Sequence, residues 1–170
     1  MAPAEPESTG EPFVLERDLA GSTVATGSFS AIDGTHREFT IDINGNWDGN
    51  ALTLVEDFIF DDGVEERKTW VFTSLGNGEW SGTREDVVGT ARGWQDGNIF
   101  RLEYDMALPD EDGNPGRKMR FQDVIYNDEH GDVINKATVG LWGVRVATVN
   151  LTIRRPDGNV DEDATALSSR

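Results

Sequence analysis

The sequence contains no cysteine. Disulfides, zinc–thiolate sites and cysteine nucleophiles are therefore excluded. Histidine is almost as scarce, with only His36 and His130. Neither has a serine or aspartate at triad spacing, so a hydrolase triad is not expected. Two histidines in turn-like segments make a poor metal site, and no metal or other cofactor is expected. Basic residues are few, 15 against 32 acidic ones, and only three are lysines; the net charge is −17. Nucleic acid and an anionic membrane surface both require a basic patch, so neither is an expected partner. No apolar run approaches the ~18 residues of a transmembrane helix. The first residues, "MAPAEPESTG", lack the basic start and apolar segment of a signal peptide. A cytoplasmic location is expected if this start is native, and a periplasmic one if a leader was removed. Helical periodicity is also nearly missing. The best candidate is short, "FVLERDLAG" at 13–21, with Gly21 as its C-cap and Phe13 and Leu15 placed to plug one end of the fold.

What is present is alternation. From residue 22 onward, apolar and polar residues alternate in runs separated by Asp-Gly and related turns, such as Asp33-Gly34, Asp62-Gly63 and Gly76-Asn77-Gly78. Such turns between alternating runs are the clearest short-range signal of a β-hairpin. Nine or ten strands follow, at roughly ten-to-fifteen-residue spacing. A meander this long avoids exposed edges by closing on itself. The predicted fold is all-β: an antiparallel up-and-down barrel with a short N-terminal helix, with a two-sheet sandwich as the second architecture. Glycines inside the strands (Gly45, Gly82, Gly89, Gly93, Gly140) suit the bends of a coiled barrel. The domain is predicted to span 13–155. Residues 1–12 and 156–170 carry −3 each and lack apolar periodicity, so they read as disordered acidic tails. The segments "DEDGN" at 110–114 and "DGNVDED" at 157–163 resemble calcium loops in composition. Neither completes the twelve-residue pattern, and both read as solvated turns.

The segments "GNWDGNALTLVEDFIFDDG", "GTREDVVGTARG", "GNIFRLEYDMALP", "FQDVIYN" and "INKATVGLWGVRVATVNLTIRR" occur in this order. Together they resemble an uncharacterised bacterial family of lipocalin-like proteins, many of them small lipoproteins, over about residues 17–155. The resemblance implies a small antiparallel barrel with an interior cavity, often encoded near enzymes that modify fatty acyl chains, such as cyclopropane-fatty-acid synthases. The chain departs from the pattern in two ways. It has no cysteine to carry a lipid, so anchoring is not expected of it. It also has Gln122-Asp123 where relatives tend to have an acidic pair, so a role resting on two carboxylates there is not expected.

The candidate site follows from the inward stripes. Phe58, Phe60, Trp70, Phe72, Phe100 and Trp142 are expected to face the barrel interior, which is either filled or holds one small ligand. Polar residues on those stripes are more telling, because a buried carboxylate is unfavourable unless paired or protonated. In "LVEDFIFDDG", Glu56 shares a face with Phe58 and Phe60, while Asp57 falls on the other. Glu56 or Asp86 is read as paired with a cation that pins the register. Arg92 and Arg120, with Lys136, are the candidates to meet a ligand's polar head. The leading expectation is a binding protein for an apolar small molecule, a fatty acyl chain or isoprenoid-like compound. The alternative is a small-barrel cyclase or isomerase using Glu56, Asp86 or Tyr104 for proton transfer. A third reading is an acidic scaffold for a basic partner protein.

Overall fold

The computed structural model describes residues 10–109, 112 and 114–156. The predicted tails outside 10–156 and most of the acidic loop at 110–114 lie beyond the described residues, as does the 157–163 segment. The elements are α1 (Leu15–Asp18), β1 (Gly21–Ala31), β2 (His36–Trp47), β3 (Ala51–Phe60), β4 (Glu65–Gly76), β5 (Glu79–Thr83), β6 (Val87–Asp96), β7 (Ile99–Pro109), β8 (Pro115–Asn127), β9 (Val133–Leu141) and β10 (Val144–Arg154). Each strand pairs antiparallel with the next, and β1 pairs with β10, from Val24 opposite Arg154 to Ala31 opposite Ala147. The meander is thus a closed ten-stranded barrel, as the turn chemistry predicts.

Alternation decides which residues face inward. Along β3, Leu52, Leu54 and Glu56 are buried, while Val55, Asp57 and Ile59 are not. Along β7, Phe100, Leu102, Tyr104 and Met106 form a continuous buried stripe. Two strand glycines are there for space. A Cβ at Gly82 would lie 2.8 Å from the Phe72 ring, and one at Gly93 would lie 2.6 Å from the Phe100 ring. Large rings on neighbouring strands lie flat over these positions, which fills the narrow barrel without forcing the backbones apart.

The two ends differ. At one end α1 and the residues before it form a floor. Phe13, Leu15 and Leu19 are fully or almost fully buried, as the plug reading expects. The Phe13 N–H donates to the Asn98 carbonyl, and the Gln95 side-chain amide donates to the Phe13 carbonyl. The Asn127 side-chain amide donates to the carbonyls of Glu11 and Pro12. The helix is shorter than predicted, four residues in place of nine, and Gly21 opens β1 rather than capping the helix. The reason is tertiary: the Leu19 carbonyl packs onto the bare backbone of Gly45, where a Cβ would lie 2.0 Å away. At the other end the inward-facing rings Phe29, Phe39, Phe58 and Phe60 are only half-buried, so the interior reaches solvent there.

Candidate functional site in the barrel interior

Above the floor lies a cavity of about 490 Å³. Its wall is mostly apolar. Leu15 and Leu19 face it from below, Ile41 and Ile43 from β2, and Leu151 and Ile153 from β10. Four of the predicted rings line it, Phe58, Phe60, Trp70 and Phe72. Trp70 stacks on Phe72 at 4.8 Å between centroids and meets the Tyr104 ring edge-on at 5.3 Å. Tyr104 in turn stacks on Phe121, its direct cross-strand partner, at 5.1 Å. Near the mouth, Phe39, Phe58 and Phe60 cluster within 6 Å of one another, and the Arg37 guanidinium covers Phe60 at 3.9 Å. Each aromatic pair adds about 0.5–1.5 kcal/mol beyond area burial.

Two polar clusters interrupt this lining. The first is built around Arg84. β5 is short: its pairing with β4 ends at Val71 opposite Thr83, and its pairing with β6 ends at Gly82 opposite Ala91. Beyond those points side chains close the wall in place of a backbone ladder. The Thr69 N–H donates to a Glu85 carboxylate oxygen at 2.8 Å. Arg84 turns inward and grips Asp86 with two hydrogen bonds, at 2.7 and 2.9 Å. Its remaining nitrogen, Nη1, reaches Glu56 Oε1 at 3.4 Å, and Lys68 Nζ lies 3.7 Å from Asp86. The guanidinium also lies over the Trp70 ring at 5.3 Å.

Burial dominates the ionisation of this cluster. It raises the Glu56 carboxyl to about 7; Arg84 opposes the rise, and the charges of Asp86, Glu85 and Asp123 reinforce it. Burial also opposes the Arg84 charge, but the Asp86 hydrogen bond and the field of Glu56 more than offset it, so its pKa is raised. Asp86 is less buried. Arg84 overcomes its desolvation and holds the carboxyl below the usual range.

The second cluster is Asp123, Tyr104 and Asn135. Asp123 lies on β8 between the inward residues Phe121 and Ile125, and it is 7% exposed. Its Oδ2 accepts from Asn135 Nδ2 at 3.2 Å and from the Tyr104 hydroxyl at 3.5 Å. Its Oδ1 is buried and has no hydrogen-bond partner. Burial raises this carboxyl to about 7 against the pull of Asn135, Tyr104 and Arg84. Burial, then the Asp123 charge, raise Tyr104 well above its ordinary value, so it stays a neutral donor.

Several predicted positions are corrected. Arg92 points outward and stacks on Trp94 at 4.2 Å. Arg120 is also outside and bonds Asp105 at 2.8 Å. Arg92 alternates with the buried Ala91 and Gly93, and Arg120 with the buried Phe121, so both fall on the outer face, where a guanidinium remains hydrated. Lys136 is exposed on the outward face of β9. Trp142 sits at the tip of the β9–β10 hairpin with φ 53° and is 82% exposed, because the strand pattern ends one residue before it. Phe100 is fully buried but lies against Phe13 in the floor and is not part of the cavity lining. Asp57, by contrast, is outside as expected and paired with Arg67 at 2.7 Å. His36 lies beside the β1–β2 turn at the mouth, and His130 lies in the β8–β9 turn at the floor end, so the two do not converge.

Sequence reasoning missed Arg84 and passed over Asp123. Asp123 carries the same signal as Glu56, a carboxylate between two large apolar residues at period two. Arg84 carries no such signal, since it belongs to the link after β5 and to no strand.

Among solved structures, the chain is similar to the S-type phycobiliprotein lyase CPES from Guillardia theta, with a TM-score of 0.60 and 11% identity over 83% of this chain and 90% of that one. That likeness is one of fold. Weaker similarities are to EF1p2_mFAP2b bound to DFHBI (TM-score 0.42, 12% identity, 84% and 99% covered) and to a de novo designed fluorescence-activating β-barrel (0.40, 12%, 84% and 99%). No curated protein matches the sequence. The family described as "Protein of unknown function (DUF3833)" matches residues 1–155, and the chain belongs to that family.

Proposed function

We propose that this protein binds an apolar small molecule inside the barrel. The observation that carries the reading is the cavity itself, about 490 Å³ and lined by aromatic and aliphatic side chains with two polar clusters. Small-molecule pockets span roughly 300–1,000 Å³ and have this composition, a largely apolar wall with few convergent polar groups. A barrel kept only for stability has no use for such a void, because unfilled space forfeits dispersion contacts along its whole lining. The floor formed by α1 makes the cavity a blind tube, and the half-buried rings around Arg37 form its entrance. A chain-like or isoprenoid-like molecule entering there would run past Phe58 and Trp70 toward Leu15 and Leu19.

Native mass spectrometry of the purified protein tests this, together with titration of dodecanol followed by tryptophan fluorescence. The expected result is a stoichiometric complex and a change in Trp70 emission. Absence of any bound or added apolar compound at saturating concentration overturns the reading.

A catalytic reading has one specific observation in its favour, two buried carboxyls held near 7 beside an apolar cavity. Groups poised in that range suit general acid–base chemistry. Under that reading a substrate turned over by the protein loses turnover with Glu56→Gln or Asp123→Asn while binding persists. Full activity in both variants removes it.

A further inference from the structure

We infer that the ligand's polar end is a hydrogen-bond donor, an amine or a hydroxyl, that docks on Asp123, and that a fatty carboxylate is a poor ligand. This rests on the reading of the cavity as a ligand site and specifies the chemistry of its occupant. The argument begins with what the interior cation has left to give. Arg84 directs Nε and Nη2 to Asp86 and Nη1 to Glu56. The Nε/Nη2 edge is filled by Asp86, and the remaining end already faces Glu56, so a ligand carboxylate seeking a bidentate grip there would be forced against a second carboxyl. Lys68 leans on the same Asp86, and Arg37 at the mouth is bonded to Asp62.

Asp123 is the opposite case. It is a buried acceptor with one oxygen engaged and the other, Oδ1, without a partner. An acceptor left unsatisfied in the interior is unfavourable; Oδ1 has almost no free surface in this structure, so a ligand N–H or O–H must turn the carboxyl slightly to reach it, and in doing so removes that penalty. Tyr104 and Asn135 both reach Oδ2, at 3.5 and 3.2 Å, bonds long enough to allow this cavity-lining carboxyl that small turn. A ligand carboxylate would instead be a third acidic group beside Asp123 and Glu56, at short range in a poorly hydrated space. Burial holds the Asp123 carboxyl near 7, so an approaching ammonium ion finds a group that ionises readily.

The test is a parallel titration of the purified protein with dodecylamine, dodecanol and dodecanoate at mildly alkaline pH, each below its micelle concentration. The chains are identical, so differences report the polar end. Dodecylamine and dodecanol are expected to bind at least about ten-fold more tightly than dodecanoate, the scale of one hydrogen bond to a charged group. In Asp123→Asn, which preserves volume and the bond to Tyr104, the amine-to-carboxylate ratio is expected to fall about ten-fold or more. Dodecanoate binding as tightly as the other two overturns the donor assignment and leaves the cavity reading standing. A ranking unchanged by Asp123→Asn also overturns it, because the preference then comes from the protein's overall negative charge. Failure of all three compounds to bind overturns both.

Discussion

The two polar clusters of the barrel interior each hold a deeply buried carboxyl and are left in different states. Around Arg84 every strong group has a partner: the guanidinium is divided between Asp86 and Glu56, and Lys68 supports Asp86. Asp123 has no ion-pair partner among the described residues; Arg84 acts on it only at longer range, and the neutral donors Tyr104 and Asn135 both bond one oxygen. The first cluster replaces a missing stretch of β-ladder and belongs to the architecture. The second leaves a buried acceptor unsatisfied, at some expense in stability, and under the proposed function it is the place where a ligand supplies the missing donor.

The largest effect should come from breaking the complete cluster. Arg84→Met leaves Glu56 without a cation and Asp86 with only the more distant Lys68, and removal of one partner from a buried ionic group costs about 3–5 kcal/mol. Urea denaturation should show a midpoint lowered accordingly. A midpoint close to wild type would mean that the Arg84 cluster does not hold the wall closed.

Asp123→Asn should act in the other direction. Glu56 and Asp123 bind protons more tightly in the folded state, near 7, than in the unfolded chain, at 4.5 and 3.8. Their favourable contribution is therefore complete below pH about 4 and is lost as pH rises through about 7. Asparagine mimics the protonated form at every pH. The variant should match wild type near pH 4 and exceed it at pH 8, by on the order of a few kcal/mol at one pKa unit per 1.36 kcal/mol. Denaturation measured across that range checks it, and a gap that widens toward acid pH contradicts it.

Added bulk separates packed from empty interior. Gly82→Ala pushes a methyl into the Phe72 ring and should cost about 1–3 kcal/mol. Ala137→Leu, opposite Asp123 in the β8–β9 register and on the cavity wall, should change stability by less than about 1.5 kcal/mol. It should nevertheless weaken dodecanol binding at least ten-fold, by occupying the space the ligand needs. The smallest effects belong to the outer face. Arg92→Ala and Arg120→Ala remove exposed contacts worth about 0–1 kcal/mol and should leave ligand binding unchanged.

Much of this was legible before any coordinates. The turns at Asp33-Gly34 and Asp62-Gly63 delimit β1 to β4 almost to the residue, because a hairpin needs turn chemistry where the alternation stops. Alternation also placed Glu56 inside and Asp57 outside. It failed at Trp142, where a large ring suggested an inward position but the chain had reached the hairpin tip. It also failed for the ligand-facing cation. Arg120 alternates plainly with the inward Phe121 and so belongs outside, whereas at Arg92 the bulge after Val88 breaks the alternation that links it to the start of its strand. Arg84 belongs to no strand, so periodicity had nothing to say about it.

By itself the sequence determined the strand count to within one, the antiparallel meander, most of the inward stripes and the presence of acids among them. These are local matters, fixed by period-two alternation and by which residues tolerate a tight turn. The tertiary structure decided the rest: that the barrel is hollow, that Arg84 is used up by Asp86 and Glu56, and that Asp123 keeps a free oxygen. Those outcomes depend on distances between residues far apart in the chain, and composition and spacing do not encode how a closed sheet brings β3, the β5–β6 link and β8 around one space.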